Sequence, residues 1–294
     1  MTYKPDPIDN VKAADFPNYV HREMLKIAEF LATLAPRPEP EPVPTPVPAP
    51  SPSSDVLWSC GFLTSPEDSD FHEQAKVPGR AQVVPSGRAP GYNSVRLHTE
   101  PGDNNVAGSG QSERNDLSLP QSMTDGFEGR EHWWAHSVMF PDDYVDPPPS
   151  QLGGTWNFGL VFDFHNTKSG PGRANMQVMA MPKTAESPDR PTGLSIELAS
   201  GDQLNPTIKR YPIGPIERGK WYDFVYHVRW TSKGDGFFKA SVNYNPVVDY
   251  QGPTLYEGQG VYLKLANYHT AHGKPSSVLH SRIIRGKTRE SVTL

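Results

Sequence analysis

The sequence lacks the features that would cross-link the chain or carry it into a membrane. Cys60 is the single cysteine among 294 residues, so no disulfide can form within the chain. No run of about 18 apolar residues occurs, and the opening residues MTYKPDPIDNVKAADF lack the apolar segment of a signal peptide. We therefore expect no membrane span, and export by some other route if the protein acts outside a cell.

A strong charge of either sign is also missing. The formal net charge is -5, and no run of lysine or arginine is present. Proteins that bind nucleic acid or anionic membranes usually present a basic patch. We expect neither of them as a partner.

Apolar residues are scarce at 35 %, whereas the chain has 32 prolines. Proline occupies every even position from Pro36 to Pro52. This alternation favours polyproline II, which at about 3.1 Å per residue would extend roughly 50 Å. We interpret residues 36–54 as a stiff linker, with a ligand for SH3-type domains as the weaker alternative.

The segment before this linker, YVHREMLKIAEFLATLA (19–35), contains neither glycine nor proline and predicts a helix. Its apolar residues follow the a/d spacing of a coiled coil, namely Val20, Met24, Ile27, Leu31 and Leu34. A lone helix of this length is marginal in water. We therefore expect residues 1–35 to form an anchor that self-associates, as a trimer, or docks on a larger assembly. The alternative is an amphipathic helix packed on its own domain.

From Val56 onward the pattern changes to short stretches of period two, separated by glycine, proline and asparagine. Such stretches predict β-strands. They cover residues 56–63, 92–99, 132–140, 158–165, 174–181, 193–199, 220–230, 236–244, 261–269 and 276–285. The fold class we expect for residues 55–294 is therefore all-β, an antiparallel sandwich.

The strand VYLKLANYH (261–269) has two chemically different sides. Alternation places Tyr262, Lys264 and Tyr268 on one face, and Leu263 and Leu265 on the other. One face suits a core, and the other could contact a polar ligand.

Three segments resemble one known family. They are EGREHWWAHSVMFPDDY (128–144), GKWYDFVYHVRWTSKGDG (219–236) and GVYLKLANYH (260–269). In this order and approximate spacing they resemble the heparin-lyase-I-like and glucuronan-lyase-like polysaccharide lyases. The resemblance implies a concanavalin-A-like jelly roll with a polysaccharide groove on one sheet, and cleavage of a uronate-containing chain by β-elimination.

The N-terminal part resembles a different group. A short helix FPNYVHREMLKIAEFLATL followed by a stalk looks like the particle-attachment end of bacteriophage tail and head-fibre proteins. This resemblance implies a location on the virion surface, with other virion proteins as partners of residues 1–35.

In the related lyases the groove takes its chemical groups from RxE-type, QxH-type and YxKxxxY strands. The last is intact here and makes Tyr262, Lys264 and Tyr268 catalytic candidates, together with His165 of VFDFH. The resemblance implies His165 or Tyr268 as the base and Tyr262 or Tyr268 as the acid. In VFDFH, Asp163 stands where glutamine is expected, and Leu160, Phe162 and Phe164 are predicted to fill the core.

The RxE-type strand aligns with QSERNDL, which puts Gln111 in the place of arginine and retains Glu113, whereas Arg114 would point to the opposite face. Gln111, Arg114 or Lys264 would offset the uronate carboxylate. The candidate substrate-binding residues are Gln111, Glu113, Arg114, His136, Asp163 and Gln177, and for His136 a packing role is the alternative.

These departures make the expected groove more negative. Asp163 and Glu113 would repel a polyuronate unless Asp163 is protonated or paired, or unless the ligand carries little charge. The alternative function is therefore a non-catalytic glycan-binding module. A retaining hydrolase of this fold would need an ExDxxE-like strand, which the sequence lacks.

Few residues suggest a cofactor. His269 and His272 are separated by two residues, but the sequence reveals no third ligand beside them, so we expect no metal centre. The loop PGDNN (101–105) leaves a structural calcium open as the one cofactor to consider.

Overall fold

The computed structural model describes residues 4, 16–34, 55–66, 70–85, 87–104, 112–149, 157–168, 173–182 and 192–293. The chain forms two compact units, Met1–Pro48 and Ala49–Leu294. The predicted linker over residues 36–54 lies outside the described residues, as does Gln111. Both the linker and the boundaries at residues 35 and 54 stay predictions.

The first unit contains helix α1 (Phe16–Leu34), close to the predicted helix. Four of the five a/d side chains are exposed, at 38 % for Val20, 65 % for Met24, 41 % for Ile27 and 58 % for Leu31. Within the described ranges no helix is long and apolar enough to cross a membrane.

The second unit consists of fifteen strands and the four-residue helix α2 (Gln121–Thr124). The strands are β1 (Val56–Cys60), β2 (His72–Ala75), β3 (Ala81–Val84), β4 (Ser94–Thr99), β5 (Ser112–Leu119), β6 (Glu131–Met139), β7 (Gly159–Asn166), β8 (Met176–Met181), β9 (Gly193–Gly201), β10 (Pro206–Gly214), β11 (Trp221–Arg229), β12 (Phe237–Val242), β13 (Asn245–Gln251), β14 (Val261–Thr270) and β15 (Ser276–Gly286).

Two antiparallel sheets make the predicted sandwich. Sheet A has eight strands in the order β13-β12-β11-β6-β15-β4-β3, with β1 paired to β15. Sheet B has seven strands in the order β10-β9-β8-β7-β14-β5-β2. Sequence neighbours are often separated in these orders, as expected for a jelly roll rather than a meander.

The core lies between the sheets and is rich in aromatic residues. From β11, Tyr222, Phe224, Tyr226 and Val228 are buried, as their alternation predicts. Phe164 of sheet B packs edge-on against Trp134 of sheet A, with ring centroids 5.5 Å apart. Burying each of these large side chains stabilises the fold by about 1.5–3 kcal/mol.

All ten predicted strand segments overlap observed strands. The ten segments leave out five strands, of which β5 was identified only through the RxE-type resemblance. The other four are β2, β3, β10 and β13, of which β2, β3 and β13 are only four to seven residues long. All four lie at sheet edges. Edge strands bury one side only partly, so their apolar periodicity is weak.

Candidate functional site

The side of sheet B that faces away from the core, here called the outer face, presents the polar residues of β14. Leu263 and Leu265 point inward and are fully buried. Asn267 also points inward, because its amide donates to the Leu97 and Ser276 carbonyl oxygens at 3.1 and 3.0 Å. The intervening side chains, those of Tyr262 and Lys264, therefore lie on the outer face, as predicted.

A continuous series of polar residues crosses this face. Strand register pairs Lys264 with Asp163, Asp163 with Gln177, Gln177 with Glu197, and Glu197 with Arg210. We call these five residues the polar row. Because neighbouring strands are about 4.8 Å apart, the row extends roughly 19 Å across five strands.

Lys264 is held by a carboxylate from the neighbouring strand. Its Nζ donates to Asp116 Oδ2 at 2.8 Å, and both side chains are buried. Burial alone would lower the pKa of Lys264, but Asp116 and Asp163 outweigh it and raise that pKa. Arg114 lies 3.5 Å from the same Asp116 oxygen. Lys264 therefore stays cationic with its charge largely neutralised in place.

Asp163 is fully buried in the polar row, and neither of its carboxylate oxygens has a hydrogen-bond partner among the described residues. Burial raises the pKa of this carboxyl to about 6, although His165 and Lys264 oppose the change. The Oε1 atom of Gln177 on the next strand is also buried without a partner. Two neighbouring residues thus carry buried polar atoms that no other described residue satisfies.

His165 and Tyr262 are direct neighbours at one edge of the polar row. Register pairs them across β7 and β14, and their ring centroids are 5.1 Å apart. His165 Nδ1 is 2.9 Å from the carbonyl oxygen of Asn166. A carbonyl oxygen only accepts, so Nδ1 carries the hydrogen and Nε2 keeps a lone pair. Burial raises the pKa of Tyr262, which keeps its phenol protonated.

On the other side of the polar row, Tyr268 packs against apolar residues and the Arg114 guanidinium. The Arg114 guanidinium lies 4.2 Å from the ring centroid of Tyr268, and Phe158 meets the same ring edge-on at 5.0 Å. Tyr268 packs on a small cluster of Leu160, Met179, Met181 and Ala266. Tyr268 is thus placed near a cation but away from the His165–Tyr262 pair, with Lys264 and Ala266 between it and Tyr262 on β14.

The prediction that Leu160 fills the main core is wrong. The register of β7 with β8 shifts between Leu160 and Phe162, and the core contains Val161, Phe162 and Phe164 instead. A β-bulge of this kind moves one residue to the other side of the sheet. It places Leu160 beside Tyr268.

On β5 the predicted faces are reversed. Leu117 of this strand lies in the core, and Glu113 shares its side by alternation. Glu113 is buried and accepts a hydrogen bond from Gly102 N at 2.7 Å, so its assignment to the groove is corrected. Arg114 is on the outer face, and so is Asp116, a residue that the sequence analysis missed. Arg114 and Asp116 have the spacing of an RxE-type pair, with aspartate in place of glutamate. The alignment had assigned this pair to Gln111 and Glu113, each three residues earlier in the chain.

His136 does not face the outer face of sheet B. It belongs to β6 of sheet A, is 1 % exposed, and stacks on Phe162 and Phe224 between the sheets at 4.0 and 4.8 Å. Burial lowers the pKa of this imidazole well below its usual value. The substrate-binding assignment is corrected, and the packing alternative fits.

Glu197 is a second residue that sequence reasoning did not identify. It is 2 % exposed and accepts from Arg173 at 2.8 Å and from Arg210 at 3.1 Å. Its signal was the polar position between Ile196 and Leu198 in an otherwise apolar strand. The two arginines remain 30 % and 18 % exposed and bring positive charge to this end of the row.

The loop considered for calcium offers little to an ion among its described residues. Both Asp103 oxygens have partners, since Oδ2 accepts from Glu100 N at 2.8 Å and Arg80 lies within 3.4 Å of either oxygen. Asn105 lies outside the part of the chain that the structure describes.

Taken chemically, the outer face combines a base, an acid and several cations. His165 can accept a proton at Nε2, and Tyr262 can donate one. Arg114, on the neighbouring strand β5, can bind an anion. This combination suits a long polyhydroxylated ligand that lies along the sheet.

Comparisons with known proteins identify the family and agree with the fold. A family model described as polysaccharide lyase matches residues 65–284. No match to the chain is found among curated protein sequences. The fold is similar to that of endo-beta-1,4-glucuronan lyase from the fungus Trichoderma reesei, with a TM-score of 0.57, 14 % identity, and coverage of 75 % of this chain and 92 % of that one.

Two alginate lyases show a weaker likeness. For the enzyme from Aplysia kurodai the TM-score is 0.49 at 10 % identity, covering 79 % of this chain and 99 % of the other. For the enzyme from a Chlorella virus it is 0.47 at 11 % identity, covering 80 % and 100 %.

Proposed function

Because the chain belongs to the polysaccharide lyase family, we propose that the outer face of sheet B binds an acidic polysaccharide and cleaves it by β-elimination. The observation that supports this most directly is the pairing of His165 with Tyr262, whose ring centroids are 5.1 Å apart on adjacent strands. Eliminative cleavage needs one group to remove the C5 proton and another to protonate the leaving oxygen.

In the proposed reaction His165 Nε2 takes the proton from C5 of the uronate. The C–H electron pair forms the C4=C5 double bond, the C4–O bond breaks, and the leaving oxygen receives the phenolic proton of Tyr262. Transfer of the proton from His165 back to the phenolate, through water, restores both groups. The hydrogen bond from His165 Nδ1 to the Asn166 carbonyl holds the required tautomer.

The C5 proton becomes acidic only if the carboxylate beside it is neutralised. Arg114 suits this role, because its guanidinium is only partly buried, lies 3.5 Å from the Asp116 oxygen that Lys264 also contacts, and is close enough to oppose the rise in the pKa of Tyr262. Lys264 is less suitable, since it is 6 % exposed and already donates to Asp116. We assign Lys264 to holding Asp116 in place.

The acid and base lie on one side of the bound sugar in this proposal. The proton and the leaving oxygen would then depart from the same side of the ring. Among uronates this favours D-glucuronate and D-mannuronate, whose C5 proton and C4 oxygen are on the same side. We therefore propose these polymers as substrates ahead of polyguluronate.

The test is an assay of the full chain against glucuronan, polymannuronate and polyguluronate, following the ultraviolet absorbance of the unsaturated product. We expect product from at least one of the first two polymers. His165→Ala and Tyr262→Phe should each lower the rate by about 10²–10⁴-fold. Tyr244→Phe is the matched control, because Tyr244 is 62 % exposed and lies on the β12–β13 turn of sheet A. Equal rates for all four proteins would refute the assignment.

A second candidate is a glycan-binding module without activity. It is favoured by Asp163, which puts a carboxylate where the resemblance to the related lyases implies a neutral glutamine and so makes the site less suited to neutralise a uronate. This function predicts saturable binding to the same polymers with unchanged polymer length.

We propose further that α1 attaches the protein to a bacteriophage particle, so that sheet B meets a bacterial surface polysaccharide from the virion surface. Its support is the exposed a/d series Val20, Met24, Ile27 and Leu31, which suits association with copies of itself, as a trimer, or with other virion proteins. Localisation of the protein on purified particles by labelled antibody is the test, and its absence from particles would refute the proposal.

A further inference from the structure

Three potential metal ligands meet on the inner side of sheet B, away from the outer face. Glu113 begins β5, His269 ends β14, and His272 follows in the turn before β15. One ligand atom from each lies within 4.8 Å of the other two. The sequence suggested only the two histidines, and the fold supplies the carboxylate as the third ligand.

The carboxylate has an unused oxygen at this point. Glu113 is 2 % exposed, and its Oε1 accepts from Gly102 N at 2.7 Å. Its Oε2 is buried, has no hydrogen-bond partner within the part of the chain that the structure describes, and lies 3.9 Å from His269 Nδ1. A buried carboxylate oxygen without a partner is costly, so a cation at this position would stabilise the fold.

The histidines are also suited to bind a cation. Both ring nitrogens of His272 are buried, and no described residue forms a hydrogen bond with either of them. His269 is fixed by the Thr270 carbonyl at Nδ1 and by the Thr99 hydroxyl at Nε2, at 3.0 and 2.9 Å. If one ring nitrogen of His269 binds the ion, the other nitrogen therefore keeps its partner, either Thr270 or Thr99, and this contact orients the ring.

From this juxtaposition we infer that Glu113, His269 and His272 form a zinc site, with water as the fourth ligand. Two imidazoles and one carboxylate are a donor set that zinc prefers, and calcium would require more oxygen ligands. The site lies behind the strand pair that presents Arg114 and Tyr268, so zinc would clamp β5 to the end of β14.

Zinc binding would draw the three side chains closer together. Ligand atoms around a tetrahedral zinc ion, with bonds of about 2.0–2.1 Å, are about 3.4 Å apart. The rings of His269 and His272 are now stacked at 4.3 Å with planes 6° apart. Parallel planes cannot both contain the ion, so His272 must turn, and its position in a turn rather than a strand permits this.

The test uses the full chain without a histidine tag, treated with a chelator and titrated with ZnCl₂ by calorimetry. We expect one zinc ion per chain and a rise in Tm, because zinc binds the folded state. His272→Ala and Glu113→Gln should each weaken binding at least about 100-fold and remove the rise in Tm. The control is His21→Ala, since His21 is exposed on α1 and should contribute nothing.

Cobalt provides a second readout of the same site. Co²⁺ bound by the wild-type chain should give the intense visible bands of a four-coordinate ion, and His272→Ala should lose them. Absence of stoichiometric zinc binding, binding that both variants retain, or loss of binding in His21→Ala would each overturn the inference. If Glu113→Gln fails to fold, His272→Ala, in a half-buried turn, decides the question alone.

Discussion

Replacing Asp163 by asparagine is expected to stabilise the protein at neutral pH, although the residue lies in the candidate site. Asp163 is fully buried and neither carboxylate oxygen has a hydrogen-bond partner. On folding, the ionised carboxylate therefore loses its hydration and gains no hydrogen bond to replace it. Asparagine has almost the same shape and cannot ionise.

The size of the effect follows from the pKa. Burial raises the pKa of Asp163 from 3.8 to about 6, and each unit corresponds to about 1.4 kcal/mol. Because the folded state binds this proton more tightly than the unfolded state, ionisation lowers the free energy of unfolding as the pH rises from about 4 to about 6. The loss reaches about 3 kcal/mol above that range. Asp163→Asn should match the wild type at about pH 4 and exceed it by up to about 3 kcal/mol at about pH 7.5.

The assay is urea unfolding of both proteins at several pH values, followed by tryptophan fluorescence. Other titrating groups affect both proteins equally, so the difference between the two curves isolates Asp163. Asp116→Asn is the matched control. It removes the partner of the buried Lys264 ammonium and should instead destabilise the protein by on the order of 3 kcal/mol.

Two results would refute this reasoning. A difference between wild type and Asp163→Asn that is constant at every pH would mean that ionisation of Asp163 costs nothing on folding. Alternatively, Asp163→Asn could be the less stable protein at neutral pH, which would mean that the carboxylate is paired with a cation such as Lys264.

Other predictions concern binding, the core and the helix. Arg114→Ala should weaken binding of an acidic polysaccharide about tenfold, since a hydrogen bond to a charged group contributes about 1.5–3 kcal/mol, and a titration with unchanged affinity would contradict its role. Phe164→Ala should lower the free energy of unfolding by about 3–5 kcal/mol, because this ring is fully buried between the sheets. Urea unfolding measures this loss, and a value below about 1 kcal/mol would contradict the packing. The double variant Met24→Glu, Leu31→Glu should be monomeric in mass measurements where the wild type is an oligomer. Leu25→Glu is the control, because Leu25 is similarly exposed but lies outside the a/d series, and this variant should remain oligomeric. A wild-type chain that is already monomeric would exclude association through α1.

Strand positions and core faces were readable from the sequence where both sides of a strand differ in polarity. In β11, Tyr222, Phe224 and Tyr226 alternate with Asp223 and His227, so the buried side could be assigned without a structure. The same reasoning assigned Tyr262 and Lys264 of β14 to the outer face. Alternation is a local property, and burial of one side follows directly from it.

The reasoning failed where the phase of a strand was ambiguous. QSERNDL carries polar residues on both sides, so its alternation does not say whether Glu113 or Arg114 faces the core. Pairing with β14 decides this, because Tyr268 lies opposite Arg114 and His269 opposite Glu113. The β-bulge at Val161 likewise cannot be read from an apolar stretch in which every residue could be buried.

The sequence by itself determined that the second unit is an antiparallel sandwich and which side of β14 is polar, since hydrophobic periodicity depends only on neighbours along the chain. Only the tertiary structure decided that Lys264 meets Asp116, that Tyr262 meets His165, and that Glu113 lies beside His269 and His272. These residues are about 90 to 160 positions apart in the chain. Their contacts depend on strand order and register, which are set by packing of the two whole sheets rather than by any local pattern.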